Sequence, residues 1–458
     1  MRRLLVSNLA VRAITTPIAL VSGLVSAWLA VGYLGAELYA SIILITTLSQ
    51  LLPFADMGVG AAVINEVAAQ RKGDRSQHVY RVLVSAQRIL LVAGAAIILA
   101  AILLAIIGIW PIVLGSGSKF LNDPTLLAIA FFGMFSAFIF FQLGYRVLTG
   151  IGKNQVGSLL SCGASILSVL LIWGGVALEL APVWFVMAQT ISAAIFALVA
   201  SLLAGKWSGY SYIGIVIDIF RPRTVKQISI RGSALPMLVI MAALPALLFG
   251  HKLILSHVSS SNQLVAYTFA SQIYAPAWAA VSGTLLALWP AFAAARSVSS
   301  SRDTLRVLRR TLVLVASASA LASLALVLVL PSAALLIGHG QTSVSWWLAG
   351  GFGALIFAQS AFYPLGVYLT RDRELRFQAI CVALMLVVGL PACIGAAKLW
   401  GAPGPVWVSA VSILTFQLVP ALIFLSRNGK PVVVDDDGAA RGTGIASETR
   451  VANGPTIG

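Results

Sequence analysis

Charged residues are scarce in this chain. Asp, Glu, Lys and Arg make up 10% of its 458 residues, whereas they make up about 25% of a typical soluble domain. Hydrophobic residues make up 59%, and the mean hydropathy is +0.97. This composition excludes a soluble enzyme, a disulfide-stabilised scaffold and a disordered protein. It leaves a polytopic α-helical membrane protein.

Cysteine and histidine are also few. Cys162, Cys381 and Cys393 lie inside apolar runs, which predicts small core residues rather than a disulfide framework or a metal site. The four histidines are scattered along the chain, so no zinc cluster is indicated. Neither the Gly-x-x-x-x-Gly-Lys-[Ser/Thr] phosphate loop nor the Gly-x-Ser-x-Gly nucleophile elbow occurs. We therefore predict neither a metal nor a cofactor.

Apolar segments long enough to cross a membrane are abundant instead. A helical span needs about 20 mostly apolar residues, and twelve segments of this kind can be found. They are 11–33, 38–64, 87–113, 124–147, 156–178, 182–205, 231–252, 264–290, 311–337, 344–369, 377–398 and 403–425.

The basic residues indicate how these spans are oriented. The connections between spans alternate between two sides of the membrane. One side, which includes both ends of the chain, holds 27 of the 30 Lys and Arg residues. The other side holds only Lys119, Lys252 and Lys398. Cytoplasmic loops of membrane proteins carry the excess of Lys and Arg, so we predict that both termini are cytoplasmic. The net charge of +16 then reflects topology, and we predict no nucleic-acid partner.

The predicted outer side holds few acidic residues that could act in catalysis. Its acids are few, and Glu37, Asp123 and Glu179 each lie in a different short loop. A membrane glycosyltransferase or polymerase usually needs a sizeable outer loop with catalytic acids. We therefore predict transport rather than an enzyme.

The connection over 206–230 divides the predicted spans into six and six. We predict a six-helix N-terminal lobe over 1–205, an amphipathic cytoplasmic connector over 206–230, a six-helix C-terminal lobe over 231–425 and a disordered tail over 426–458. Two lobes with the same orientation are typical of transporters built from parallel repeats. The connector is either an interfacial segment on the cytoplasmic leaflet or a plain linker.

Ionisable residues inside spans are costly and mark candidate functional sites. Asp56 lies deep in the second span, and Gly58 and Gly60 follow it. Glycines there would let the helix break toward a cavity. We predict a gate or a proton or cation site, with a carboxylate paired to a neighbouring helix as the alternative.

A second set of candidates is basic. Arg12, Arg88, Arg146 and Arg231 each lie at the cytoplasmic end of a span, and Asn8 precedes Arg12 by one turn. If these ends converge, they form a cationic mouth suited to a diphosphate, because the Arg fork matches phosphate oxygens. Otherwise they are topological flanks that extend to the headgroups.

Lys252 and His251 form a third candidate. Lys252 is one of the three predicted outward cations, and it adjoins His251. We predict that Lys252 faces a cavity.

Three motifs point to one family. They are Asp56-Met-Gly-Val-Gly-Ala-Ala-Val-Ile-Asn-Glu-Val-Ala, Tyr145-Arg-Val-Leu-Thr-Gly-Ile-Gly-Lys-Asn154 and Lys252-Leu-Ile-Leu-Ser-His-Val-Ser-Ser-Ser-Asn-Gln-Leu-Val-Ala-Tyr267. These stretches resemble polysaccharide exporters of the Wzx type, in the multidrug/oligosaccharidyl-lipid/polysaccharide (MOP) exporter superfamily. The twelve-span layout extends the resemblance to about residue 425.

The resemblance implies two six-helix lobes in a V, with a cationic cavity between them. It implies alternating access that moves a polyprenyl-diphosphate-linked oligosaccharide from the cytoplasmic to the outer leaflet of a bacterial inner membrane, for cell-envelope polysaccharide biosynthesis. Membrane lipids and a polysaccharide polymerase or glycosyltransferases are the implied partners.

The resemblance also implies residue roles. Arg12, Arg146, Arg231 and Lys252 become candidate diphosphate or glycan contacts, and Asp56 a gating acid. Many relatives carry an acid where this chain has His251. Histidine titrates near neutral pH, so His251 is a candidate for coupling in its place.

Three other functions remain open from the sequence. A cation-coupled multidrug exporter of the same superfamily would prefer acids within its spans, and this chain has few besides Asp56. A membrane glycosyltransferase or polymerase would need outward catalytic acids. A scaffold that recruits envelope enzymes would use only its basic inner surface.

Overall fold

The fold is built from helices. The computed structural model describes residues 2–52, 59–69, 76–221, 234–285, 301–369 and 372–428, and these ranges contain helices and turns but no β-strand. The predicted all-α fold is confirmed. We call the described residues up to 221 the N-terminal half and those from 234 on the C-terminal half.

The N-terminal half contains ten α-helices and, between the fifth and sixth, a 3-10 helix at Gly115–Phe120. The α-helices are α1 (Arg2–Leu34), α2 (Ala36–Gln50), α3 (Val59–Ala69), α4 (Gln77–Ile106), α5 (Trp110–Leu114), α6 (Pro124–Phe141), α7 (Leu143–Gly150), α8 (Asn154–Ala177), α9 (Pro182–Ser208) and α10 (Tyr212–Asp218).

The C-terminal half contains eight α-helices and, between the last two, a π-helical turn at Leu414–Leu418. The α-helices are α11 (Ala234–Phe249), α12 (His251–Val258), α13 (Ser261–Leu285), α14 (Ser301–Ile337), α15 (Trp346–Tyr368), α16 (Asp372–Trp400), α17 (Pro403–Ile413) and α18 (Val419–Asn428).

Nine helical stretches among the described residues are long and apolar enough to cross a membrane. Each overlaps one of the twelve predicted segments. The third predicted span, 87–113, is displaced, because α4 already begins at Gln77 and ends before Gly108. Gly108 has a φ of +73°, which ends an α-helix, and α5 follows separately.

The other three predicted segments are interrupted or less apolar. The segment 38–64 comprises α2 and α3, with residues 53–58 outside the described ranges. The segment 231–252 holds α11 and the first two residues of α12, and the two helices are separated by Gly250, where a Cβ would lie 2.3 Å from the Ala246 carbonyl oxygen. The eighth is α13, which contains Pro276. The count of twelve and the cytoplasmic termini therefore stay predictions.

Helices pack mainly within each half. In the N-terminal half α8 packs on α1 and α9, and α6 packs on α4 and α9. In the C-terminal half α15 packs on α14 and α17, and α16 packs on α11 and α17. Helix α13 contacts α1 and α2 across the division. All three cysteines are buried and unpaired, as predicted. The boundaries of the two six-helix lobes stay predictions.

The predicted connector contains the short helix α10. Tyr212 and Ile215 are buried against the N-terminal half, while Ile213, Ile217 and Phe220 are exposed. Arg88 on α4 donates to the carbonyl oxygens of residues 218, 219 and 221 at the end of α10. The guanidinium of Arg88 therefore caps this helix end, and a cationic mouth that includes Arg88 stays a prediction. The predicted tail beyond residue 428 lies outside the described ranges.

Candidate functional site

A cleft runs into the molecule between the N-terminal half and α13. Its deep chamber has a volume of about 470 Å³ and its wide chamber about 960 Å³. The two chambers share five lining residues, so they form one cleft. These residues are Ala19, Tyr145, Arg146, Ser161 and Ser165.

The cleft is deep relative to a membrane. Its lining residues on α1 extend from Thr15 to Ala30, which corresponds to about 22 Å along a helix. The hydrocarbon core of a bilayer is about 30 Å thick. The wide chamber lies where α7 ends, α8 begins and α13 ends, and we call this the open end of the cleft.

The walls of the cleft combine apolar surface with many polar side chains, which we call the polar wall, and they carry little charge. Among the described residues that line the two chambers, Arg146 is the only Asp, Glu, Lys or Arg. The others include many hydroxyl and amide side chains: Thr15, Thr16, Ser26, Tyr39, Thr46, Gln142, Tyr145, Thr149, Asn154, Ser158, Ser161, Ser165, Ser168, Gln189, Ser192, Gln272 and Thr284. Such a wall suits a ligand with many hydroxyl groups.

A serine stripe on α8 forms part of this wall. Ser158, Ser161, Ser165 and Ser168 follow each other at intervals of three or four residues, which places them on one helix face. The first three donate to carbonyl oxygens one turn earlier on α8. A hydroxyl that donates in this way still has lone pairs that accept. The stripe therefore offers acceptors to donors in the cleft.

Close packing beside Arg146 fixes its position. Arg146 lies on α7, where a Cβ on Gly144 would be 2.2 Å from the backbone nitrogen of Ser201 on α9. The Gly144 N–H donates to Ser201 Oγ over 3.0 Å, and Ser201 Oγ donates to the Phe141 carbonyl over 2.7 Å. A residue larger than glycine would not fit between these two backbones, so α7 packs closely against α9 two residues before Arg146.

The two halves touch at the opposite end of the cleft, which we call the closed end. His257 Nε2 on α12 lies 2.8 Å from the carbonyl oxygen of Ile112 on α5. His339 Nε2, after α14, lies 2.9 Å from the carbonyl oxygen of Trp28 on α1. The His339 ring also stacks on the Trp28 ring, with centroids 5.0 Å apart.

Two further contacts join the halves. Lys252 Nζ on α12 donates to Thr47 Oγ1 on α2 over 3.3 Å. Gly115 packs on the backbone of Ser256, and a Cβ there would lie 2.6 Å from the Ser256 carbonyl oxygen. We call these four contacts, at His257, His339, Lys252 and Gly115, the closing contacts.

The structure brings one predicted site residue into the cleft, namely Arg146. Asn8 and Arg12 lie in the first turns of α1, where the backbone alone is described. Gly60 is buried in α3. Asp56, Gly58 and Arg231 lie outside the described residues.

His251 and Lys252 are buried on α12 and are not among the lining residues of the two chambers. His251 Nδ1 lies 2.9 Å from the Tyr267 hydroxyl oxygen, and His251 Nε2 lies 2.8 Å from Ser409 Oγ. The imidazole thus joins α12, α13 and α17.

Sequence reasoning missed most of the polar wall. The missed residues include Gln142, Gln189, Gln272 and the serine stripe. The stripe has a readable signal, since its four serines recur at helical spacing inside an apolar segment. The glutamines have no such local signal, because they come from three separate places in the fold: the turn between α6 and α7, α9 and α13.

Comparison with known proteins shows which solved structures have a similar architecture. Neither a known family nor a curated protein matches the sequence. Solved structures do match. An inward-facing multidrug resistance MATE family transporter of the MOP superfamily has a TM-score of 0.62 at 16% identity, covering 92% of this chain and 97% of the other. The lipid II flippase MurJ, in an inward closed conformation, has a TM-score of 0.62 at 14% identity, covering 91% and 87%.

A third similar structure is a MOP superfamily transporter from Pyrococcus furiosus. Its TM-score is 0.56 at 15% identity, covering 92% of this chain and 96% of that one. At these identities the likeness shows the fold, which is that of MATE and MurJ transporters over most of the chain. The predicted likeness to the fold of MOP superfamily structures is confirmed. These neighbours are transporters and a flippase rather than enzymes.

Proposed function

We propose that this protein is a flippase that moves a polyprenyl-diphosphate-linked oligosaccharide from the cytoplasmic to the outer leaflet of a bacterial inner membrane. The observation that carries the proposal is the chemistry of the cleft. Its walls combine hydroxyl and amide side chains with one arginine, and no Asp or Glu occurs among the described lining residues.

Each part of the polar head of such a lipid has a counterpart in the cleft. Sugar hydroxyls pair with the serine stripe and with amides such as Gln142 and Gln189. The diphosphate pairs with the guanidinium of Arg146, whose planar fork matches phosphate oxygens. This head cannot cross about 30 Å of hydrocarbon unaided. The cleft replaces its hydration with protein hydrogen bonds.

Alternating access follows from the two ends of the cleft. By the positive-inside rule the open end, beside Arg146 and Lys153, faces the cytoplasm. The opposite end is held by a few contacts, and a typical hydrogen bond contributes only about 0.5–1.5 kcal/mol. A bound head that favours the other conformation can therefore shift the equilibrium. We assign Arg12, Asn8 and Arg231 to the cytoplasmic mouth.

We also propose that Asp56, Gly58 and Gly60 act in gating, that Lys252 acts at the contact between halves, and that His251 acts in coupling. The bond from Lys252 to Thr47 supports its role at this contact. Envelope glycosyltransferases or a polysaccharide polymerase would supply or consume the lipid.

A second candidate is a cation-coupled multidrug exporter, because one of the similar structures is a multidrug resistance transporter. A cavity for cationic drugs would favour acids. The absence of Asp and Glu from the described cleft lining ranks this candidate second.

The test uses purified protein in liposomes that contain a fluorescent polyprenyl-diphosphate disaccharide, with an impermeant quencher outside. Wild type should expose the lipid to the quencher. Arg146→Ala should slow exposure about 10- to 100-fold, because hydrogen bonds to charged groups contribute about 1.5–3 kcal/mol. Arg309→Ala, which removes an exposed arginine of α14, should retain the wild-type rate.

Two results would count against the proposal. Wild type that leaves the lipid inside, yet moves a cationic dye under a proton or sodium gradient, would favour the drug exporter. Equal rates for wild type and Arg146→Ala would remove the assigned role of the arginine.

A further inference from the structure

A second concave surface lies on the other side of α13, outside the cleft. It is a groove of about 370 Å³ between α13 and α14, with α15 at its floor. Val281, Leu285, Leu314, Val315, Ala318 and Ala322 form its apolar sides.

The three hydroxyls that line the groove each donate within their own helix, and Thr284 Oγ1 bonds the Ala280 carbonyl over 3.0 Å. Ser319 donates to the Ala316 carbonyl over 3.0 Å, and Ser360 donates to the Ile356 carbonyl over 2.7 Å. All three bonds lie within the residue's own helix, so all three donors are satisfied. The groove therefore presents an apolar surface, in contrast to the polar wall of the cleft.

The groove faces the bilayer. Helix α14 is among the helices that are long and apolar enough to cross a membrane, and only a small part of its surface is buried by protein. Leu314 at the groove and Leu321 above it are 70% and 71% exposed. An occupant of the groove can thus enter sideways from the lipid.

The groove is continuous with the cleft at one residue. Thr284, in the last turn of α13, lines both the groove and the wide chamber. Gly283 beside it lines the wide chamber as well. A molecule with a polar head and an apolar chain can therefore place its head in the cleft and its chain in the groove, crossing α13 at Thr284.

We propose that this groove holds the first part of the polyprenyl chain while the diphosphate glycan occupies the cleft. This inference rests on the proposed function. Lipid tails are as apolar as leucine side chains, so the groove adds little affinity by itself. Its role is to hold the chain in apolar surroundings beside the cleft while the head is inside the protein.

The test compares two substitutions two residues apart on α14. Ala318→Trp fills the groove, whereas Ala320→Trp adds the same bulk at an exposed position outside it. Transport of the long-chain polyprenyl-diphosphate disaccharide should be about tenfold slower for Ala318→Trp and unchanged for Ala320→Trp. Binding of a soluble short-chain analogue with the same head should be unchanged in both.

A second measurement needs no substitution. A long-chain lipid with a photoreactive group near the diphosphate end of its chain should crosslink wild type at residues 314–322 of α14. Crosslinks elsewhere, or normal transport by Ala318→Trp, would overturn the inference and leave the groove to ordinary phospholipid chains. Weaker binding of the short-chain analogue to Ala318→Trp would also overturn it, because the damage would then lie in the cleft.

The proposed function fails separately. In that case wild type neither transports the long-chain lipid nor binds its soluble analogue, and the cleft itself has the wrong ligand.

Discussion

The two ends of the cleft differ in how they use hydrogen bonds. At the open end, hydroxyl and amide groups line a chamber of about 960 Å³. At the closed end, ring nitrogens of His257 and His339 already pair with backbone carbonyls of the other half. The open end is thus prepared for a ligand, and the closed end is occupied by the protein's own contacts. This difference defines the conformation as open to one side.

On the proposed function, the difference also explains how the protein can change conformation by altering few contacts. The polar wall belongs mostly to the N-terminal half, whereas each closing contact pairs one half with the other. Moving the halves at the closed end therefore leaves most of the wall intact. Four substitutions test this division, in order of expected effect.

Filling the cleft should have the largest effect. Ser165 lines both chambers, so Ser165→Trp should reduce lipid transport about 100-fold, since a block there prevents productive placement of the head. The same assay on Ser317→Trp, at an exposed position of α14, provides the control. Comparable transport by the two variants would show that the substrate does not use the cleft.

Widening the closed end should have the next effect. Gly115→Ala places a methyl 2.6 Å from the Ser256 carbonyl oxygen, and we expect it to favour the opposite conformation about tenfold. Spin-label distances between the ends of α5 and α12 would measure the shift.

Gly108→Ala is the matched control for this experiment. Gly108 also has a positive φ, of +73°, but a Cβ there has open space around it. Equal shifts in the two variants would attribute the effect to backbone strain rather than to contact between the halves.

Changing the charge of the wall should alter selectivity. Gln189 lines the deep chamber, and Gln189→Glu adds a negative charge with almost no change of shape. We expect binding of the diphosphate lipid to weaken about threefold to tenfold, because the carboxylate repels phosphate. Titration of the soluble head group and of a cationic dye would measure this. If the affinities for the head group and for the dye were both unchanged, the head group would not bind near Gln189.

Removing one closing hydrogen bond should have the smallest effect. His339→Phe keeps a ring to stack on Trp28 but removes the bond to the Trp28 carbonyl. We expect a shift of about twofold to fivefold toward the opposite conformation. The same spin-label measurement applies, and a shift larger than that of Gly115→Ala would reverse our ranking of the closing contacts.

The helical fold was readable from the sequence because hydropathy reports unbroken apolar helices well. Hydropathy does not show where an apolar segment is divided into two helices. Gly250 divides one predicted span into α11 and α12, and α2 ends at Gln50 inside another. The closing contact of Lys252 involves one of these segments.

The site was less readable than the fold. Arg146, singled out as a basic residue at the cytoplasmic end of a span, lies on the wall of the cleft, and its role as a substrate contact stays a prediction. The sequence also singled out His251, whose partner Ser409 is 158 residues away in the chain. Such a pairing depends on how α12 and α17 pack, and no local pattern encodes it. The role of His251 in coupling stays a prediction.

The most direct test of the central claim is the accessibility of residue 19. Ala19 lines both chambers, so Ala19→Cys, in a variant without Cys162, Cys381 and Cys393, reports on the cleft. An impermeant thiol reagent should modify it from the cytoplasmic side of inside-out vesicles, and the polyprenyl-diphosphate disaccharide should slow the reaction. Modification from the outer side alone, or protection by a cationic dye but not by the lipid, would contradict the account.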